Sequence, residues 1–497
     1  MSQKSTAELV SDYFASGALP GLPTGHLIDG HFVPAASGAT MQSVDPGNGR
    51  VFAEFAAGDA QDVARAVESA SRGFQVWRHA RPAERSRVLN QMAALLREHA
   101  AYLSVVEAID SGKTLAEAEG DVASSARLFE YYAGAADKLE GISIPLGPDY
   151  MSWTLREPVG VTAHIIPWNY PTSTFARGVA PAIAAGCSVV AKPAETTPFT
   201  ALLMGRLLCE AGLPPGVVNV ITGLGSAVGE PLATHPQVAH VTFTGSVGTG
   251  VRVMQQVAPN VTRLTLELGG KSPLVALDDC DVEAAAEGAL SAIFCNAGQV
   301  CSAGSRLVVS RAIHAELMQR LLEKTRALTL GHGLRNPHMG ALNSALHLER
   351  VKGHVDRARA RGCAIVAGGN VTHDPATGTG WFFEPTIIDG LATDDAAVQQ
   401  EIFGPVLAVQ VVDSDEAALA AANATDYGLV AGIYSRDIGR ALRMARDLDA
   451  GQVSINEYWA GGVELPFGGN RKSGFGKEKG LEGLSAYLRT KCITARI

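Results

Sequence analysis

A parallel α/β fold with more than one packed unit is the architecture the sequence predicts, on three observations. The chain has 497 residues, 46% hydrophobic and 18% charged, the balance of a soluble globular protein long enough for two or three cores. Its middle alternates short apolar runs with helical patterns. Polar and glycine residues suited to ligands sit where those runs end, as they do at the carboxyl edge of a doubly wound sheet.

In chain order, "DVARAVESASRGFQVW" and "AERSRVLNQMAALLREHAAYLSVVEAID" have helical spacing. "GVTAHIIP", "CSVVAKP", "VVNVITG", "HVTFTG" and "LTLELGG" read as short buried strands of a parallel sheet. Between them, "TALLMGRLLCEAG", "GEPLATH" and "GTGVRVMQQVA" read as helices or helical turns. "DVEAAAEGALSAIFCNAG" is helical in spacing, with an acidic start that suits the helix dipole and a Gly stop, and the strand-like "SRLVVS" follows. There is no short internal repeat and no long low-complexity segment.

A net charge of −9, without basic stripes, argues against nucleic acid or an anionic membrane as partner. The first residues have no apolar core of signal-peptide length, and no stretch offers the roughly 18 uninterrupted apolar residues of a membrane span, so a cytoplasmic location is expected. Seven scattered cysteines, an odd number, do not form a disulfide framework.

"FCNAGQVCSAGSR" carries two of those cysteines, Cys295 and Cys301. They lack the close spacing and the histidine partners of a zinc site, so no metal is expected. Cys295 falls at the helix end, where a free thiol packs as a small hydrophobe. Cys301 lies beyond the Gly stop, in a small-residue turn where a thiol can face a cavity and its N–H can serve a reacting oxygen. From this stretch alone, a nucleophile and a packed thiol both stay open for Cys301.

The strand ends add two features. In "FTGSVGTG", Gly245 and Gly250 flank a strand-to-helix turn suited to a pyrophosphate at a helix start, though such turns are often structural. In "AKPAE", Lys192 and Glu195 are either a solvated pair or a donor and an acceptor for a ribose. The carboxylate would repel the extra phosphate of NADP, so NAD is favoured.

"PWNYP", "KPAE", "FTGS", "ELGGKSP", "GQVCSAGSR", "EIFGPV" and "PFGGNRKSGFGKEKG" occur in this order, and with them the sequence closely resembles the aldehyde dehydrogenase superfamily, NAD-dependent and non-acylating, from about "HFVPAASG" to its end. The resemblance implies an aldehyde-dehydrogenase-like α/β fold in three parts. These are a Rossmann-type NAD-binding domain (1–137 and 160–268), an α/β catalytic domain (269–480), and a small β oligomerisation extension (138–159 and 481–497). Apolar edge strands in that extension call for a partner, and a homodimer or homotetramer is expected.

Residue by residue, the resemblance implies Cys301 as nucleophile, Asn169 as side-chain donor to the oxyanion, Glu267 as general base, and Glu478 as the acidic neighbour of a relay lysine that many relatives carry and that Gly178 replaces here. For the cofactor it implies Ile165, Ile166 and Pro167, then Trp168, Lys192 and Glu195 on the adenosine side, Gly245 and Ser246 at the pyrophosphate, and Leu268 and Gly269. Glu401 and Phe403 would meet the nicotinamide ribose. Relatives that pass the acyl group to coenzyme A generally lack the glutamate at Glu267, so hydrolysis to a free acid is expected. A cofactor-free thiol esterase at Cys301 and a non-catalytic binding protein are the alternatives.

For the substrate, a small-molecule aldehyde, the resemblance places Tyr170, Arg177, Trp459 and Phe467 in the tunnel. Arg177 stands where many relatives carry Trp, and Gly178 where many carry Lys. Three roles fit Arg177: contact with the carboxylate of a semialdehyde, support of the wall for an aromatic or other neutral aldehyde, or replacement of the missing Lys. Its charge disfavours betaine aldehyde.

Overall fold

The computed structural model describes residues 4–497, and two sheets organise them. The first has eight strands in the order His31–Val33, His26–Ile28, Val218–Val220, Ser188–Pro193, Val161–Ile166, Val238–Thr244, Arg263–Glu267, Gly474–Phe475. The central strands from Val218–Val220 to Arg263–Glu267 are parallel, and all were legible as apolar runs. Ser188–Pro193 is buried at every residue, as a strand covered on both faces must be.

From Val161–Ile166 the chain steps outward through Ser188–Pro193 to Val218–Val220, then returns to the opposite side with Val238–Thr244 and Arg263–Glu267. The order therefore reverses between Val161–Ile166 and Val238–Thr244. A crevice opens at their carboxyl ends, because the connections leave that point in opposite directions.

Helix Pro171–Ala185 follows Val161–Ile166 and was not anticipated. Gly178 and Pro181 lie inside it, and both disfavour a helix interior, but nearly all of its residues are buried. Burial of that helix outweighs its poor propensity. The long pattern "AERSRVLNQMAALLREHAAYLSVVEAID" proves to be two helices, Pro82–Glu98 and Ala100–Ser111, separated at His99 (φ −102°, ψ 15°). The apolar spacing continues across that single residue, which is why the pattern conceals the break.

The second sheet has seven strands in the order Ala364–Ala367, Thr386–Asp389, Val406–Val412, Arg306–Ser310, Pro273–Ala276, Val430–Tyr434, Gln452–Ile455. Only its edge strand Ala364–Ala367 is antiparallel. Helix Val282–Phe294 starts on Asp281, whose side chain accepts from the N–H groups of Glu283 and Ala284. It gives way to the turn Cys295–Gly298, in which Asn296, Ala297 and Gly298 take φ of 47°, 52° and 72°.

Left-handed backbone at a non-glycine residue costs roughly 1 kcal/mol, so this turn must be held by its surroundings. Asn296 N–H donates to Glu117 Oε1 at 2.6 Å, and Gln299 Nε2 donates to the carbonyls of Asn296 and Ala341. These bonds fix the chain just before Cys301. A third unit pairs Tyr150–Pro158 antiparallel with Leu488–Arg496 along their whole lengths. Among the described residues, no helix is long and apolar enough to cross a membrane.

Candidate functional site

Three cavities adjoin one another through shared walls. A trough of about 520 Å³ lies over the strand-order reversal, lined by Ile165, Ile166, Pro167, Trp168, Lys192, Glu195, Gly245 and Ser246. It shares Pro167, Trp168, Gly245 and Ser246 with a middle cavity of about 270 Å³, whose walls add Asn169, Glu267, Leu268, Gly269, Cys301, Glu401 and Phe403. An outer cavity of about 470 Å³ carries Tyr170, Arg177, Trp459 and Phe467, and Cys301 lines it too. Cys301 is thus a shared wall of the middle and outer cavities.

Burial pushes the Cys301 thiol up to about 12; the positive charge of Arg177 opposes that shift, and Glu267, Glu401 and Glu478 add to it. Among the described residues no carbonyl accepts the Cys301 N–H, which leaves it available to an oxygen beside the sulfur. Asn169 is buried, and its Nδ2 donates at 2.9 Å to the Gln299 carbonyl. A primary amide has two N–H bonds, so one fixes the side chain while the second stays free to donate.

Glu267 ends strand Arg263–Glu267, is only 2% exposed, and has no hydrogen-bond partner on either carboxylate oxygen. Burial raises its pKa well above the usual carboxylate range, Glu478 adds to that, and Arg177 and Lys477 oppose it. An unpartnered buried carboxyl is costly, and this one lines the same middle cavity as Cys301. Glu478 lies behind the cavity wall and is also raised by burial, with Arg177 as the main opposing charge. Arg177 Nε stands 3.1 Å from Glu478 Oε2, an ion pair held by charge, since the N–H is not aligned for a hydrogen bond.

Gly178 faces a histidine: a Cβ there would lie 2.4 Å from His164 Nδ1. His164 is buried on strand Val161–Ile166, is held by Thr162 Oγ1 at 2.9 Å, and is kept neutral by burial, which lowers its pKa to about 3. No side chain fits at residue 178 while that ring is in place.

The trough and the middle cavity suit a dinucleotide. Ser246 caps helix Val247–Val257, which brings a helix start to the trough. Lys192 is almost fully buried at a strand end and pairs with the half-exposed Glu195 at 3.1 Å. Glu401 accepts from the Gly270 N–H at 2.9 Å, and burial raises its pKa to about 7. A Cβ at Gly269 would lie 2.1 Å from Glu401 Oε2, so only glycine admits that carboxylate. Trp168 sits at the junction of the two cavities, its ring edge-on to Phe403 at 5.3 Å, and not at the adenosine end alone.

Cys295 lines none of the three cavities; its Sγ lies 3.9 Å from Tyr170 Oη, and burial raises its thiol to about 12. Tyr170 is backed by Lys113, whose Nζ lies 4.3 Å from the ring centre. Among the described residues, no cluster of His, Cys, Asp and Glu could hold a metal ion.

Several lining residues were not anticipated. His347, Arg350 and His354 reach the middle cavity from helix Ala345–Ala360. Their spacing of three and four puts them on one helix face, a signal present in the sequence. Tyr458, whose hydroxyl donates to the Ser302 carbonyl at 2.8 Å, and Lys479 line the outer cavity with Asp121, Arg127 and Glu464. These come from distant segments, and no local pattern joins them.

Residues 32–493 match the model of the aldehyde dehydrogenase family. The chain is 40% identical over 465 residues to human 4-trimethylaminobutyraldehyde dehydrogenase, covering 93% of this chain and 94% of that one. It is 39% identical over 471 residues to betaine aldehyde dehydrogenase of Bacillus subtilis (strain 168), covering 94% and 96%. A solved structure of betaine aldehyde dehydrogenase from Staphylococcus aureus in complex with NAD+ superposes with a TM-score of 0.95 at 37% identity, covering 99% of this chain and 97% of that one. A sheet reversal with a trough above it, a cysteine between two cavities, and a family match along nearly the whole length agree: the chain belongs to the aldehyde dehydrogenase family.

Proposed function

We propose that the protein oxidises an aldehyde to a carboxylic acid with NAD, through a covalent intermediate on Cys301. The observation that carries this is the position of Cys301 as the common wall of the outer cavity and of the middle cavity, which adjoins the trough over the sheet. Trp168, Lys192, Glu195, Gly245, Ser246, Glu401 and Phe403 would hold NAD, with Ile165, Ile166, Pro167, Leu268 and Gly269 as backbone and apolar walls. When bound, the oxidised nicotinamide supplies the hydride acceptor.

The chain's own residues do the rest. The Cys301 thiol is neutral at pH 7, so it must give up its proton before the sulfur attacks the aldehyde carbon. Glu267, with both oxygens unpartnered, is the acceptor that burial has prepared. Attack turns the carbonyl oxygen into an oxyanion, met by the Cys301 N–H and the second Asn169 N–H, each worth about 3 kcal/mol in the transition state. Loss of the carbon-bound hydrogen with its electron pair leaves a thioester. Glu267, once it has released the thiol's proton to solvent, takes a proton from water, the hydroxyl adds to the thioester carbon, and the carbon–sulfur bond breaks so that the acid departs while Glu267 returns that proton to the sulfur. Arg177 and Glu478 set the charge around that base.

Arg177 takes the third of its three roles: paired with Glu478 and lying 4.4 Å over the Phe467 ring, it replaces the missing lysine in charge. A guanidinium so engaged is not the free anchor that a substrate carboxylate needs, and its repulsion of a cationic substrate is offset. Tyr170, Trp459 and Phe467 suit the apolar body of an aliphatic or aromatic aldehyde. The family relatives are named for trimethylammonium aldehydes, but Arg127 and Arg177 are matched by Glu464 and Glu478 while Lys479 brings an unpaired cation to this outer cavity, and betaine aldehyde ranks below neutral aldehydes. The extension formed by Tyr150–Pro158 and Leu488–Arg496 joins subunits into a homodimer or homotetramer.

The test is the rate of NADH formation from NAD and butanal, with the acid measured as product. Equal amounts of NADH and butanoic acid are expected. No NADH with butanal or benzaldehyde, together with rapid ester turnover in the absence of NAD, would make the protein a thiol esterase instead.

A further inference from the structure

The outer cavity carries five charged side chains, and their pairing is uneven. Arg127 is matched by Glu464 at 2.7 Å, and Arg177 by Glu478 at 3.1 Å. Asp121 is matched by Lys113, which also reaches Glu107 at 3.2 Å. Lys479 alone, among the described residues lining this cavity, has a full charge with neither an ion pair nor a hydrogen bond. Its ammonium stands 5.8 Å from the centre of the Phe467 ring, which Arg177 also covers.

The backbone holds that lysine where it is. Lys479 has φ 62° and ψ 173°, a conformation that residues with a Cβ rarely adopt. It is clamped from both sides, because Glu478 and Phe467 exchange both backbone hydrogen bonds at 2.7 Å and the Gly480 N–H donates to the Val463 carbonyl. The strained residue sends Glu478 behind the wall and Lys479 into the cavity. Burial, helped by the nearby Arg177, lowers the Lys479 pKa to about 8 against the opposing pull of Glu478 and Glu464. A cation left unpaired in a half-buried place has most to gain from an anion brought by a ligand.

We propose that Lys479 is the specificity residue of the outer cavity, pairing with a carboxylate at the far end of the aldehyde substrate. This rests on the oxidation of aldehydes at Cys301 and adds the class of aldehyde preferred: short aldehydes with an anionic tail. The carboxylate meets Lys479 while Phe467, Trp459 and Tyr170 enclose the carbon chain. Arg177 remains with Glu478 throughout.

The experiment compares kcat/KM for succinic semialdehyde and for butanal, which share a four-carbon chain, in the wild type, Lys479→Met and Lys479→Arg. The wild type is expected to favour the carboxylate by roughly tenfold or more, the usual worth of a charge-assisted contact. Lys479→Met should bring the ratio close to one, and Lys479→Arg should keep it. In the wild type the ratio should also fall above about pH 8 as the ammonium loses its proton, and in Lys479→Arg it should not. The groups facing Lys479, namely Arg177, Glu478 and Glu464, act on both substrates, so the ratio isolates the lysine.

A wild-type ratio near one, with butanal oxidised, overturns the role of Lys479 and leaves aldehyde oxidation standing. A large ratio that survives Lys479→Met, or that stays level across pH 8, overturns it as well. No NADH from either aldehyde overturns the underlying reaction instead. Should Lys479→Met fail to fold, the wild-type pH profile and Lys479→Arg decide alone.

Discussion

Arg177 and Glu478 form an ion pair, 3.1 Å between Nε and Oε2, with exposures of only 14% and 3%. One residue further along, Gly178 has no room for a side chain because His164 fills the space. The positive charge beside Glu478 is therefore supplied from one helical position earlier than the motif leads one to expect. It is also a planar guanidinium in place of an ammonium.

Removing that charge should be read in the pH profile. Burial raises the pKa of Glu267, Glu478 and Cys301, and Arg177 opposes all three shifts. Arg177→Met removes the opposing charge, so each group needs a higher pH to ionise, and the base form of Glu267 is reached later. The acidic limb of kcat/KM should move to higher pH, with a loss of about tenfold to a hundredfold at pH 7. Arg177→Lys should hold the limb closer to the wild type. An unmoved limb in Arg177→Met would show that the pair does not tune the base.

Gly178 should resist substitution for a steric reason. A Cβ 2.4 Å from His164 Nδ1 forces the ring away from Thr162 and from Tyr487, on which it stacks at 5.8 Å. Overpacking of this kind costs about 1–3 kcal/mol. Gly178→Ala should lower the urea midpoint accordingly, and Gly178→Lys should lower it further without restoring anything. Gly178→Ala combined with His164→Ala should recover part of the loss, which equilibrium unfolding of the three variants would measure.

Glu267→Gln separates the two halves of the reaction. The amide cannot take a proton from water, so the thioester should accumulate. Because Glu267 also takes the thiol proton, rapid mixing should give a slowed burst of NADH that still approaches one per site as water takes that proton, and then a steady rate reduced about a hundredfold or more. Complete loss of the burst would mean that nothing else can ionise Cys301. A full steady-state rate would remove Glu267 from catalysis.

The parts of this site that the sequence reveals share a physical property. Cys301, Asn169, Glu267, Glu401 and the glycines lie in short segments whose composition is set by backbone turns and close approaches, so the local text carries the geometry. The five parallel strands are legible for a related reason: burial on both faces leaves a continuous apolar run. Helix Pro171–Ala185 is not legible, because its stability comes from burial and not from propensity. The Arg177–Glu478 pair and the Lys479 charge are also hidden, since residues three hundred positions apart meet only through the fold.

The two cysteines should behave differently under substitution. Cys301→Ala removes the sulfur on the cavity wall and should cost at least about a thousandfold in NADH formation. Cys295→Ala, behind Tyr170 and outside the cavities, should keep kcat within about twofold and lose about 1 kcal/mol of stability at most. A large loss of kcat in Cys295→Ala would move that thiol into the substrate path.

The two-stranded unit of Tyr150–Pro158 and Leu488–Arg496 is the last point at which structure makes a demand. A lone ribbon is marginal in water, and one edge of it is unpaired. It nonetheless exposes Met151 at 55%, Tyr150 at 43% and Leu155 at 39%, with Ile142 at 65% and Leu146 at 53% in the approach to it. Such a cluster on an exposed ribbon needs cover, and a second copy of the chain supplies it by symmetry. The wild type should sediment as a dimer or tetramer, whereas Met151→Asp with Leu155→Asp, placing charges on that surface, should shift it toward monomer at equal concentration. If the double variant keeps the wild-type mass, the ribbon is not the interface.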